Sequence, residues 1–129
     1  MEVLELPGGA AWDAWLVAHP QASHAWLRIG KRHAGAPYLS IGDALDVALC
    51  HGWIDGHRKG LDDVSFLQRY SPRRRGSNWS AINVAKAQAL LAAGRMRAGG
   101  LAEIALAEED GRWDTYAEQA TAALARVVR

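Results

Sequence analysis

The chain has 129 residues, half of them apolar, with 15 Lys and Arg against 14 Asp and Glu and a formal net charge of +1. That is the size of a single domain covering residues 1–129, with enough apolar side chains to bury a core unaided. Near charge balance argues against a dedicated nucleic-acid coat, six tryptophans against a disordered chain, and the lone cysteine excludes an internal disulfide.

The charge is unevenly spread. Residues 1–97 hold 12 basic against 8 acidic side chains, and residues 98–129 hold 3 against 6. The first five residues carry Glu2 and Glu5 and no basic residue, so no secretory leader is expected. No run approaches the roughly 20 apolar residues of a spanning helix, so a cytoplasmic protein without membrane insertion is expected.

In chain order, Trp12, Trp15 and Leu16 fall at i, i+3 and i+4 and predict a short helix over 10–18. Pro20 ends it, because the residue before proline disfavours the helical region. AWLRIGKR (25–32) alternates and predicts a strand that Gly30 weakens or bulges. SIGD (40–43) has the form of a capping box, Ser40 capping a helix whose apolar stripe is Ile41, Ala44, Leu45, Ala48 and Leu49. Gly52 is placed to end it. WIDGHRK (53–59) and VSFLQRY (64–70) predict two more strands, and strict alternation puts Trp53, Asp55 and His57 on one face. Helices over about 81–93, 100–110 and 114–127 complete the expectation. The class is α+β: a small antiparallel sheet of about three strands packed with about five helices.

CHGWIDGH (50–57) concentrates chemistry-bearing residues. Cys50, His51, Asp55 and His57 lack the second ligand pair of a structural zinc site, so no metal is expected. Cys50 lies at a helix C-terminus, where the dipole opposes a thiolate, and reads as a packed thiol. No GxSxG, GxGxxG or Walker loop occurs, and no cofactor is expected. Asp55 beside Trp53 fits a general acid or base; its plainer reading is a salt bridge to Arg58, Arg69 or Arg73. In RYSPRRRGSNWSAIN (69–83), Arg69, Arg73, Arg74 and Arg75 precede serines at a helix start. Guanidinium forks and free helix amides are the parts of an anion site; the plainer reading is a solvated basic loop, and at least one of the arginines is expected to hold an anionic ligand or an internal carboxylate. Its aromatic and basic interleaving is too brief to indicate nucleic-acid binding.

The run ALDVALCHGWIDG (44–56) resembles the signature of the YdeI/OmpD-associated family, also labelled bacteriocin-protection proteins. Trp26, Leu27 and Lys31, then SPRRRGSNWSAIN (71–83), then AGRMRAGGL (93–101) with GRWD (111–114) match further family stretches in order. Carried onto this chain, the motif positions are Lys31, Cys50, Trp53, Asp55, Pro72, Arg73, Ser77, Trp79, Ser80 and Asn83. His51 stands where the family has phenylalanine, and the sequence departs from the pattern after Asp114.

The resemblance implies a resistance or tolerance protein and carries no reaction with it. Motif positions and chemical candidates overlap, which predicts one pocket lined by Lys31, Trp53, Arg73, Ser77, Trp79, Ser80 and Asn83, with Asp55 as its acid or base. The expected partner is an anionic or zwitterionic small molecule or peptide. The alternatives are a small enzyme on a polar or anionic metabolite and a structural or protein-interaction domain.

Overall fold

The computed structural model describes residues 1–33 and 37–114. The helix expected over 114–127 lies, apart from Asp114, outside them. The α+β class expected from the sequence is the class found. One four-stranded sheet is ordered β1-β2-β4-β3, built of β1 (Val3–Leu4), β2 (Ala25–Gly30), β3 (Trp53–Gly60) and β4 (Ser65–Pro72). The added strand β1 runs parallel to β2, so the sheet is mixed; the other two pairings are antiparallel. The described helices are α1 (Gly9–Ala18), α2 (Ile41–Cys50), α3 (Ala81–Ala92) and α4 (Ala98–Glu109), with a helical turn at 112–114.

By their contacts the described residues group into two compact units, one within Met1–Ala48 and Trp53–Pro72, the other Leu49–Gly52 with residues 73–114. The first holds the sheet, α1 and most of α2. In register, Ala25 faces Tyr70, Leu27 faces Gln68 and Ile29 faces Phe66. That face packs with Trp12 and Leu16 of α1 and Ala44, Val47 and Ala48 of α2 in one apolar cluster. Trp12 is fully buried, lies 5.8–6.0 Å from the Tyr70 and Trp53 rings, and donates its indole N–H to the Ala44 carbonyl at 3.1 Å. A buried tryptophan of this kind is worth about 3–5 kcal/mol against alanine, and its hydrogen bond ties α1 to α2.

The strand β3 departs from simple alternation. Asp55 pairs with Tyr70 and Arg58 with Gln68, so a bulge at Gly56 and His57 shifts the register. Beyond it Arg58 and Gly60, not His57, share the face of Trp53 and Asp55. The shift corrects the alternation read from WIDGHRK. Gly56, with no side chain to pack, is where the strand accommodates it.

In the second unit Gly52 has φ +79° and closes α2. Its carbonyl accepts the Arg73 N–H, and the Cys50 carbonyl accepts the Arg97 N–H at 2.9 Å. A Cβ at Gly99 or Gly100 would run into the His51 and Cys50 carbonyls, so these glycines allow the first turn of α4 to lie backbone to backbone on that segment. Ser80 caps α3 by accepting the Asn83 N–H, as its position suggests. Cys50 is a buried free thiol.

Candidate functional site

A cleft of about 660 Å³ lies in the first unit, lined by Gly30, Lys31, Arg32, Ser40, Ile41, Gly42, Arg58, Gly60 and Phe66. Four stretches distant in sequence converge there. The Gly30 N–H donates to the Leu39 carbonyl at 3.0 Å, which brings the start of α2 beside the end of β2. The Lys31 N–H donates to Val64 at 2.8 Å and fixes that residue at the sheet margin, next to the start of β4. The end of β3 supplies Arg58 and Gly60 through the bulge.

Arg58 is held on two sides. Its guanidinium lies 4.4 Å from the centroid of Phe66, and its Nε donates to the Gln68 amide oxygen at 3.1 Å. Gln68 is 1 % exposed and spends its amide N–H groups on the carbonyls of Gly56 at 2.8 Å and His57 at 3.2 Å. One buried side chain therefore satisfies the bulge and orients the cation. The Nη groups of Arg58 have no protein acceptor among the described residues.

The electrostatics are one-sided. Lys31, Arg32 and Arg58 line the cleft, no carboxylate does, and none of the three has an ion-pair partner among the described residues. Arg28, three residues before Lys31, is the contrast: it binds Glu5 at 2.8 Å and Asp62 at 3.0 Å. At the start of α2 the Ser40 hydroxyl accepts the Asp43 N–H and the Ser40 carbonyl accepts that of Ala44. The N–H groups of Ile41 and Gly42 remain without acceptors among the described residues, at the positive end of the helix dipole.

Of the pocket residues expected from the sequence, Lys31 alone lines this cleft. Trp53 is 6 % exposed and stands edge-on to Trp12 and Trp15, a core position. It pairs with Pro72 at the far end of β4 from Lys31, about 23 Å away at 3.3 Å per residue. Lys31 and Trp53 therefore do not share a pocket. Asp55 is exposed opposite Tyr70. The Tyr70 hydroxyl is buried without a partner, and burial, then the Asp55 charge, raise its pKa above the ordinary phenol range.

Arg73, Ser77 and Trp79 come together in the second unit. Arg73 is 7 % exposed, its guanidinium 3.7 Å from the Trp79 ring centroid. Its Nη1 donates to the Ser77 hydroxyl at 3.3 Å and the Asn78 carbonyl at 3.2 Å. Trp79 in turn meets Trp113 edge-on, and Arg112 donates to the Ser77 carbonyl. The inward-facing arginine of the basic run thus holds its own loop. Arg74 and Arg75 are exposed and Arg69 is half-buried on β4. Ser80 and Asn83 form the cap of α3.

The sequence pattern alone does not mark Arg58, Arg32 or Gln68. The glycine in WIDGHRK was the available signal, since a strand-interior glycine marks bulges. Among the described residues no group of three His, Cys, Asp or Glu side chains is arranged to hold a metal ion, and no helix is long and apolar enough to cross a membrane.

No curated protein and no solved structure matches the chain. A family model described as a domain of unknown function (DUF8412) matches residues 4–103, and the chain belongs to that family.

Proposed function

We propose that the protein binds a small anionic molecule in the cleft at the start of α2 and holds it out of solution. The observation that carries this reading is that Lys31, Arg32 and Arg58 line a cleft with no carboxylate among its described lining residues. Three cations without an ion-pair partner among the described residues favour an anionic occupant over a cationic one. The cleft volume falls in the range of small-ligand sites, about 300–1,000 Å³, and Ile41, Phe66 and three glycines supply apolar surface. A cytoplasmic tolerance role by sequestration, which the resemblance to bacteriocin-protection proteins implies, is the biological form of the proposal. A cationic antimicrobial peptide is a poor occupant for a cleft of this charge, so the reading favours an anionic small molecule. Enzyme chemistry through Asp55 has less support, because Asp55 is exposed and is not among the lining residues.

The test is calorimetric titration with aryl carboxylates, amino acids and short cationic peptides, repeated on Lys31→Ala. The expected result is saturable binding of the anions alone, weakened in the variant. Equal binding of anions and cations, or none by either, would contradict the reading.

A further inference from the structure

The charge and donor geometry of the cleft also select among anions. Resting on the reading of the cleft as an anion site, we propose that its ligand is a phosphate monoester of a small apolar body, bound as the dianion. A monoanion leaves two of the three positive charges of Lys31, Arg32 and Arg58 uncompensated. A dianion with three terminal oxygens meets more of the available donors.

Those donors belong to different elements. The Lys31 ammonium comes from the end of β2, the Nη groups of Arg58 from β3, and the Ile41 and Gly42 amides from the first turn of α2. The Arg58 fork is pre-set, its Nε already bound to Gln68 and its face against Phe66. Backbone access at α2 is open as well. A Cβ built at Gly42 meets nothing within 4 Å outside its own helix among the described residues, so that position is open. Glycine in a helix costs stability relative to alanine, and what its bareness permits here is close approach of a ligand to the backbone.

The body of the ligand has its own surface. Gly60 pairs with Phe66, and a Cβ there also meets nothing within 4 Å. With the half-buried Phe66 and the Ile41 side chain, 37 % exposed as a residue, this leaves apolar space beyond the cations. Free phosphate would leave that space unused.

Calorimetry with four probes tests the inference: phenyl phosphate, phenyl sulfate, benzoate and inorganic phosphate. Phenyl sulfate copies the shape of phenyl phosphate with one charge fewer. Phenyl phosphate should bind at least about tenfold more tightly than each of the others, and Lys31→Gln should reduce its affinity by about tenfold or more, as expected for a lost charge-assisted contact. Thermal melts establish that the variant is folded, and Arg58→Gln serves as a second variant. Equal affinity for phenyl sulfate overturns the dianion while sparing the anion reading. Equal affinity for inorganic phosphate overturns the ester. No saturable binding by any probe overturns both.

Discussion

The guanidinium of Arg58 and the amide of Gln68 are joined by a 3.1 Å hydrogen bond on the bulged face of the sheet. That bond links the core to the cleft. Gln68 is a buried polar residue whose donors go to the carbonyls left unpaired by the bulge. Replacing it with leucine removes all of these bonds while keeping comparable bulk. Gln68→Leu is expected to lower stability by about 1–3 kcal/mol, because it removes the part-buried hydrogen bonds that hold the bulge. It should also weaken anion binding by freeing Arg58. Denaturant unfolding and a titration of the folded variant measure the two effects separately. Unchanged affinity would show that Gln68 supports the bulge alone.

Arg73 is expected to behave as a structural residue. Arg73→Ala gives up the stacking on Trp79 and the bonds to Ser77 and Asn78. A desolvated cation–π contact and buried hydrogen bonds together suggest a loss of about 2–4 kcal/mol. Affinity at the cleft, measured below the melting temperature, should not change. A stable variant that binds anions poorly would return Arg73 to the site.

The two open glycines give the reverse prediction. Gly42→Ala should stabilise α2 by about 0.4–1 kcal/mol, since its backbone suits alanine and the unfolded chain loses freedom. Gly60→Val places a good strand former where its Cβ meets no atom. Both variants should melt at or above the wild-type temperature and bind anions several-fold more weakly. Unaltered affinity in both would mean that the ligand does not approach these positions.

Much of the architecture could be read from the sequence because it rests on local rules. Alternation in AWLRIGKR, the Ser40 and Ser80 caps and the left-handed Gly52 all follow from residues within one element. Strand β1 has two residues and no pattern to detect. The site was harder to read, because it depends on register. Strict alternation directs His57 to the face that Arg58 occupies, and a bulge depends on a partner strand. The tryptophans and arginines of the motifs carry site-like chemistry, yet Trp53 and Arg73 are buried and make internal contacts. Lys31 was legible and reaches the cleft. Its companions come from stretches that only the folded sheet brings together.

Asp62 predicts an acid-sensitive contribution to stability. Its carboxylate accepts the Ser65 hydroxyl at 2.8 Å, the N–H groups of Val64 and Ser65, and an Arg28 N–H, and these bonds, that of Ser65 first, lower its pKa. A folded-state pKa below the unfolded value means stability that is present above about pH 4 and lost as the pH falls through the folded value. Denaturant unfolding of wild type and Asp62→Asn should differ at pH 7 and converge in acid. A difference that persists at pH 2 would contradict this account.

The most direct test of the central claim is a residue-resolved one. Uniformly ¹⁵N-labelled protein is titrated with phenyl phosphate while the amide resonances are followed. The account predicts saturable shifts centred on Lys31, Ile41, Gly42, Gly60 and Phe66, with Arg73 to Asn83 unmoved. Shifts centred on the Arg73 loop, or none that saturate, would contradict it.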